Sequence, residues 1–186
     1  PVVEPLLSSL ASADSSQRKF IVDALGLVGS QASKAGLFAA INDRDDNVAA
    51  AAVEALGRIG GEDVLRELSR IVREVEGQSQ LKGYLLDTLG KCEAELDYQF
   101  LVDSATQVVH VRWVGPLLGF SGEPKAVVNL SKLAKNSSRS TRNGAFKGFH
   151  NALRMGRFEP DLIEQTIRGD ADLIERLRQG LFDKEQ

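Results

Sequence analysis

The residue types best suited to metal binding or nucleophilic catalysis are few in this chain: Cys92, His110 and His150. A zinc site needs three or four neighbouring Cys, His or carboxylate ligands, but the histidines are forty residues apart and there is no second cysteine. Cys92 and His150 each lie two residues after a recurring glycine, as Val28 and Ile59 do. We therefore expect both to be packed or hydrogen-bonded, and the sequence predicts no metal centre, no cofactor and no catalytic site.

Composition sets further bounds. Apolar residues make up 42% and charged residues 26% of the 186 residues, and the net charge is -3, so no overall positive field attracts nucleic acid or acidic lipid. No apolar run approaches the ~18 residues of a membrane helix. A single cysteine is typical of a reducing compartment, so we expect a cytoplasmic protein. The chain starts at Pro1 rather than at methionine, and we expect it to be a processed or excised piece.

Six glycines recur at separations of 31, 33, 29, 29 and 32 residues: Gly26, Gly57, Gly90, Gly119, Gly148 and Gly180. Apolar residues three and four positions apart precede most of them, which indicates one buried helix face per repeat. A period of about 30 to 45 residues with helical patterning is typical of stacked helical pairs. Since glycine costs about 1 kcal/mol inside a helix, its recurrence predicts close contact between helices. Aromatic residues six positions before three of these glycines are expected in the core: Phe20, Tyr84 and Trp113.

Each repeat is predicted to contain a first helix, a polar turn, a second helix and a stop. One first helix is expected to begin at Pro5, and the others are expected near residues 34–41, 64–75, 98–104, 126–134 and 160–167. Short polar side chains that cap helices predict the starts of second helices around Asp14, Asp45, Ser138 and Asp170. The β-branched segment 108–111 is expected at another helix start. Residues that tolerate the left-handed conformation are expected to end the helices: Gly29, Gly60, Gly122 and Asn151.

The segment from Asp45 to Gly60, read as Asp-Asp-Asn-Val-Ala-Ala-Ala-Ala-Val-Glu-Ala-Leu-Gly-Arg-Ile-Gly, resembles HEAT-like repeats. Ala49 stands where the family often has arginine, and the resemblance is strongest over residues 14–60. It implies an all-α fold: one domain over residues 1–186 forming a right-handed α-α superhelix (HEAT-like solenoid) of about six helical pairs. The implied repeats cover approximately 1–30, 31–61, 62–95, 96–123, 124–156 and 157–186. In this family the second helices line a concave side, and scaffolding is far commoner than catalysis.

That geometry predicts which side chains line the concave side. Three acids occupy one equivalent position in successive repeats, three residues before the glycine: Asp23, Glu54 and Asp87. Arg58 and Lys91 lie four residues after two of them, within ion-pair reach on the same helix. Further along, the equivalent positions predict Arg112 with two aromatic anchors, Phe120 and Phe149, of the kind found in binding hot spots. Two interpretations stay open: a groove that binds a partner, or acids and bases that pair with each other on a solvated surface.

Charge is uneven along the chain. Between Glu123 and Phe158 there are eight basic residues and one acid, a net charge of +7. Five of these are the predicted basic patch: Lys132, Lys135, Arg139, Arg142 and Lys147. Interleaved aromatics suit phosphate backbone and stacked bases, but the segment also suits an acidic protein segment, a neighbouring copy of the chain, or no partner.

Three function classes follow. The favoured one is a non-catalytic scaffold that binds an unidentified protein partner on the concave face. The second is a chromophore accessory, because bilin lyases resemble short HEAT-like arrays. The third is a nucleic-acid binder that uses the basic segment, a weaker prediction because the rest of the chain is acidic.

Overall fold

The computed structural model describes residues 2–76, 79–106 and 110–182, and the regular elements in these ranges are all helical. Twelve α-helices there form six consecutive pairs of a first and a second helix, as predicted. The pairs are α1 (Val3–Ser9) with α2 (Ser15–Val28), α3 (Lys34–Ala40) with α4 (Asp46–Ile59), α5 (Glu62–Glu74) with α6 (Gln80–Lys91), α7 (Tyr98–Ala105) with α8 (Val111–Leu118), α9 (Lys125–Ala134) with α10 (Arg139–Arg154), and α11 (Pro160–Ile167) with α12 (Ala171–Phe182).

Contacts between helices divide the chain into two compact units, residues 1–92 and 93–186. In unit 1 the second helices α2, α4 and α6 pack side by side, and the first helices α3 and α5 pack against the second helices of their own pairs. In unit 2 the most extensive contact joins α8 to α10, and α9 packs against α10. The prediction that residues 1–186 form one domain stays a prediction.

The second helices begin where the polar residues predict. Asp14 caps α2 by accepting a hydrogen bond from the backbone of Gln17 at 2.9 Å, and the Gln17 side chain accepts one from the Asp14 backbone. Asp45 accepts from the backbone of Asn47 in α4 at 2.9 Å, and Ser138 caps α10 in the same way. The Asp170 carboxylate accepts from the backbone of Leu173 at the start of α12. These bonds satisfy amides that have no partner inside the helix.

The predicted stops are confirmed in unit 1 and partly wrong in unit 2. Gly29 and Gly60 directly follow α2 and α4 with φ of 65° and 64°, the left-handed region that glycine tolerates. Asn151 ends no helix, because α10 continues to Arg154 and Gly156 takes the left-handed conformation beyond it. Of the β-branched segment, Val111 begins α8 as predicted, while residues 108 and 109 lie outside the described ranges.

Glycines permit close helix approach in unit 1. A Cβ added to Gly26 of α2 would lie 2.6 Å from the Cβ of Ala55 in α4. One added to Gly57 of α4 would lie 2.4 Å from Cγ2 of Thr88 in α6. Both distances are shorter than real Cβ contacts, so the predicted close contact is confirmed at these crossings. In each case the glycine faces the second helix that follows it in the chain.

In unit 2 the helices meet backbone to backbone. A Cβ on Gly115 of α8 would lie 2.4 Å from the carbonyl carbon of Gly144, and one on Gly119 would lie 2.1 Å from the carbonyl oxygen of Gly148. From the other side, a Cβ on Gly148 would lie 2.3 Å from the carbonyl oxygen of Gly115. Two glycine pairs with the same spacing therefore interlock α8 with α10.

Candidate binding surface

The acidic positions predicted in unit 1 carry intrahelical ion pairs. Asp23 pairs with Lys19 at 2.8 Å, Glu54 with Arg58 at 3.2 Å, and Asp87 with Lys91 at 2.7 Å. All six side chains keep substantial exposure. The surface that α2, α4 and α6 present is therefore a row of charges compensated one helix at a time, which agrees with the interpretation that acids and bases pair with each other. We call these six residues the charge ladder.

The charge ladder also connects neighbouring helices. The Asp87 carboxylate raises the pKa of the Lys91 ammonium above its usual value by hydrogen bonding, and the charge of Glu54 on α4 adds to the effect. Arg58 on α4 reaches back to α2, where its Nη1 would lie 3.5 Å from a Cβ on Gly26. The packing of small residues beneath the ladder thus brings charges of adjacent helices close together.

Helix α2 exposes apolar side chains beside the ladder. Leu27 is 77% exposed and Phe20 is 71% exposed. The exposure of Leu27 agrees with its predicted concave position. The prediction that Phe20 and Tyr84 belong to the core is wrong, because both are exposed; Trp113, the third aligned aromatic, is half-buried.

The predicted aromatic anchors Phe120 and Phe149 are wrong, because each is only 2% exposed. Helix α8 ends at Leu118, so Phe120 lies in the turn that follows and packs inward. Phe149 is buried because the repeat in α10 is two residues out of phase with the recurring glycine. Gly148 contacts the preceding second helix, α8. In unit 1 the residues that contact the preceding second helix are Ala55 and Thr88, and each lies two residues before the recurring glycine of its helix.

His150 is therefore the residue of α10 that is equivalent to Gly26 and Gly57. It is exposed, so of the two predicted environments, packed or hydrogen-bonded, the packed one is wrong. With this shift of two residues, the residue of α10 that is equivalent to Asp23, Glu54 and Asp87 is Lys147, which is exposed. Glycine spacing alone would assign that position to Ala145, which is buried. The residues four positions before and after Lys147 are Asn143 and Asn151, so this cation lacks the intrahelical carboxylate that its counterparts in unit 1 have.

Asn151 has a structural role in unit 2. Its amide Nδ2 donates a hydrogen bond at 3.1 Å to the carbonyl oxygen of Pro116 near the end of α8. This satisfies one of the last carbonyls of a short helix. On the same helix the Arg112 guanidinium stacks 3.9 Å from the centre of the Trp113 ring, so the predicted Arg112 is held against an aromatic surface.

The basic segment 123–158, which contains the predicted basic patch, is heterogeneous. Lys135 pairs with Asp170, Arg154 with Glu93 at 2.5 Å, and Arg157 with Glu95. The Arg142 guanidinium donates to the backbone carbonyls of Asn136 and Ser137 at 2.8 and 2.7 Å. Among the residues that the structure describes, three patch members remain exposed without an ion pair: Lys132, Arg139 and Lys147. Carboxylates therefore pair with three of the segment's eight bases, and backbone carbonyls accept hydrogen bonds from a fourth, Arg142.

Sequence reasoning missed the ion pair of Arg18 with Asp43, whose side chains are the least exposed of the ion pairs in the described residues. The guanidinium donates two hydrogen bonds to the carboxylate at 2.7 and 2.8 Å and a third to the carbonyl of Ala13 at 3.0 Å. The side chains are only 11% and 13% exposed. These hydrogen bonds hold the pKa of Asp43 below its usual value. The pair ties the start of α2 to the turn before α4, and its separation of 25 residues gave no local signal.

Cys92 and His110 show no arrangement for catalysis. Cys92 is half-buried, its Sγ lies 3.6 Å from the carbonyl oxygen of Gly57, and burial raises the pKa of its thiol. A raised pKa lowers the thiolate fraction that reacts. His110 is buried beside Trp113. Within residues 2–76, 79–106 and 110–182, no three His, Cys, Asp or Glu residues cluster so that they hold a metal ion.

None of the described helices is both long enough and apolar enough to cross a membrane.

The chain was compared with known protein families and with curated proteins. No curated protein matches the chain. The family model of HEAT repeats matches residues 3–78, which contain α1 to α5 and most of the charge ladder. The resemblance to HEAT-like repeats is therefore confirmed over residues 3–78.

Proposed function

We propose that the chain is a non-catalytic scaffold that binds a protein partner along the second helices of unit 1. HEAT repeats are generally protein-interaction scaffolds, and the observation that supports this use here is the charge ladder. Its acids occupy one register on three adjacent helices, and each has a base on its own helix.

The energy of the ladder also supports this proposal. Exposed intrahelical ion pairs contribute only about 0.3–0.5 kcal/mol each, so folding alone does not require the alignment. A partner segment with both charge signs exchanges these pairs for intermolecular ones at small cost. Leu27, exposed beside Asp23, supplies an apolar anchor at one end of the row. Phe120 and Phe149 have no part in the site, because both are buried.

The test is the double variant Glu54→Lys and Asp87→Lys. Both substitutions place two positive charges beside Arg58 and Lys91 and reverse the ladder at two helices. We expect the wild-type chain to retain a partner in affinity purification with mass spectrometry, and the double variant to lose it. The matched control is Glu62→Lys with Glu74→Lys on the first helix α5, where the acids are also ion-paired and exposed. Identical partners for all three proteins would reject the proposal.

The other two function classes gain less support. For nucleic acid, Glu93, Glu95 and Asp170 lie against three of the bases in the segment, and these carboxylates repel a phosphate backbone. The bilin-lyase-like function rests on the family resemblance alone. A shift of short duplex DNA at low salt that disappears when Arg139, Arg142 and Lys147 are replaced would favour nucleic acid over a protein partner.

A further inference from the structure

One side of α10 in unit 2 exposes a row of cations. Because an α-helix turns about 100° per residue, five of its side chains fall within an arc of about 80°: Arg139, Asn143, Lys147, His150 and Arg154. All five are exposed. We call these residues the cationic strip. It carries three permanent positive charges and no carboxylate, and it extends along about 22 Å of the helix.

Helix α8 adds a fourth cation beside the cationic strip. Arg112 is exposed, and a Cβ on Gly144 of α10 would lie 3.3 Å from its Cα. The Arg112 guanidinium lies over the Trp113 ring, 3.9 Å from the ring centre. A guanidinium held over an aromatic ring keeps its N–H groups available for a carboxylate, which it can bind with two hydrogen bonds.

Few carboxylates of the chain compensate these cations. Arg154 pairs with Glu93 at 2.5 Å. Among the side chains that the structure describes, no carboxylate lies within ion-pair distance of Arg112, Arg139 or Lys147. In the charge ladder of unit 1, every base has an acid on its own helix instead. Since uncompensated like charges repel one another, folding does not account for the strip.

The register of the cationic strip stays accessible when repeats stack. Glu54 occupies the same register as Lys147, and its side chain is 56% exposed although α4 packs against both α2 and α6. Helix α10 likewise packs against both α8 and α12, and Lys147 is exposed. Further helical pairs stacked before or after the described ones would therefore leave this surface open.

The number of uncompensated cations favours a short anionic partner. Proteins that bind a nucleic-acid backbone commonly contact about 6–10 phosphates, whereas this surface offers Arg112, Arg139 and Lys147 among the described residues. Residues 123–158 carry +7 and the whole chain carries -3, so the other residues carry -10. That negative charge repels a long polyanion, but it has less effect on a peptide segment with a few carboxylates.

The spacing of the strip also suits an acidic peptide. In an extended chain every second side chain points to the same side, at intervals of about 6.6 Å. Residues four apart on a helix, such as Asn143 and Lys147, are separated by about 6 Å along its axis. Alternate acidic residues of an extended segment therefore match successive turns of α10.

We propose that the second helices of unit 2 bind an acidic, extended peptide segment of a partner protein. Its carboxylates pair with Arg112, Arg139 and Lys147, and the side chains of Asn143 and His150 donate hydrogen bonds between them. This surface lies in unit 2 and the charge ladder lies in unit 1, so neither proposal depends on the other.

Trp113 reports directly on this surface, because it is the single tryptophan of the chain and lies under Arg112. The probe is a tryptophan-free peptide of about eight residues in which glutamate alternates with glycine, and the control peptide has glutamine in place of glutamate. At low ionic strength we expect only the glutamate peptide to change the emission of Trp113 in the full chain. Added salt should weaken the binding, because exposed charges are screened.

Two exposed lysines without ion pairs make the result specific. Lys147→Glu should weaken binding of the glutamate peptide about tenfold, since an attraction becomes a repulsion. Lys132→Glu on α9 makes the same change in net charge and should weaken binding less than about twofold. Arg112→Gln should weaken it about threefold. The anisotropy of labelled peptide gives these affinities, and thermal unfolding checks that each variant is folded.

Equal weakening by the two lysine variants would overturn the proposal, because only the overall charge would then matter. An unchanged Trp113 emission at millimolar glutamate peptide would also overturn it. A single-stranded oligonucleotide of equal charge that binds more tightly than the peptide, and that Lys147→Glu releases, would show that the occupant is a nucleic acid. A dimer of the chain that Lys147→Glu dissociates in sedimentation would show that it is a second copy.

Discussion

The two units pack their second helices by different means. In unit 1 a glycine meets a side chain, the methyl of Ala55 or Thr88, and the exposed surface above carries acids with bases on the same helix. In unit 2 a glycine meets backbone, with Gly115 and Gly119 against Gly144 and Gly148. There the surface position is Lys147, which has no acid on its helix.

Recurring glycines with similar spacing therefore make two kinds of contact between helices: glycine against a side chain in unit 1 and glycine against backbone in unit 2. Against the Thr88 side chain, a carbon added at Gly57 can be accommodated by a rotamer change or a small shift, whereas Ala55 opposite Gly26 has no rotamer and must move with its backbone. Against a carbonyl group, glycine sets the distance between two helix axes, and any added carbon must move a whole helix. Unit 2 is therefore expected to be less tolerant of added volume than unit 1.

The largest expected effect on stability is a difference between two phenylalanines, one buried in unit 2 and one exposed in unit 1. Phe149→Ala in unit 2 should lower the free energy of unfolding by about 3–5 kcal/mol, since a fully buried ring is lost. Phe20→Ala in unit 1 should change it by less than about 0.5 kcal/mol, because the ring is exposed. Urea unfolding followed by circular dichroism measures both. Equal losses would mean that Phe20 is covered in the isolated chain.

The glycine contacts should differ in the same direction. Gly115→Ala is expected to cost about 2–3 kcal/mol, because its Cβ meets backbone atoms of Gly144 and Ala145. Gly57→Ala should cost about 1 kcal/mol or less, since the Thr88 methyl can move and alanine favours the helix. Thr88→Ser in the Gly57→Ala background should restore part of the loss. A greater loss for Gly57→Ala than for Gly115→Ala would contradict the comparison.

The largely buried Arg18–Asp43 ion pair of unit 1 should give a pH dependence. The pKa of Asp43 is lowered in the folded chain, so the pair stabilises the fold above the unfolded pKa of about 3.9. That stability is lost as the pH falls through the folded value. Asp43→Asn keeps an acceptor for the backbone of Asp45 but should lower Tm by a few degrees at pH 7 and flatten its fall below pH 4. The same slope in both proteins would show that Asp43 does not titrate with folding.

The pair of unit 2 provides the control for that experiment. The Lys135 ammonium likewise lowers the pKa of Asp170 by hydrogen bonding, but both side chains are more exposed than Arg18 and Asp43. Salt screens exposed charges more than buried ones. Raising the salt concentration should therefore weaken the effect of Asp170→Asn on Tm and leave that of Asp43→Asn nearly unchanged.

The smallest expected effect concerns the charge ladder. Glu54→Gln with Asp87→Asn should change the free energy of unfolding by less than about 1 kcal/mol, because exposed pairs add little. Lys147→Ala in unit 2 should change it by less than about 0.5 kcal/mol. Thermal unfolding at low and high salt measures both. A loss of several kcal/mol would show that the ladder holds unit 1 together and would weaken its proposed use for a partner.

Local signals in the sequence predicted most of the helices. The range predicted for α11, residues 160–167, agrees with Pro160–Ile167, and Asp14, Asp45, Ser138 and Asp170 cap helices as expected. These features depend on a few neighbouring residues, where short polar side chains and proline have strong preferences.

Features that depend on helix rotation were not predictable from glycine spacing alone. In α10 both Gly144 and Gly148 face α8. They follow Gly115 and Gly119 by 29 residues because each pair is in contact across the two helices, and not because the paired glycines occupy equivalent positions in their repeats. The correct phase was visible in another pattern, with polar residues at Arg139, Asn143, Lys147, His150 and Arg154 and small or apolar ones at Ala145, Phe149 and Ala152. A helical pattern judged over the whole of α10 would have placed Phe149 in the core.

The side-by-side packing of α2 and α4 has an electrostatic consequence. The two helices point the same way, since Gly26 meets Ala55 and Arg18 near one start reaches Asp43 just before the other. Their peptide dipoles therefore add along one edge, each equivalent to about half a positive charge. Asp14 and Asp45 stand at that edge, and backbone N–H donors there lower the pKa of Asp45. The edge is thus more attractive to anions than its formal charge suggests, and the chain already supplies carboxylates to meet it.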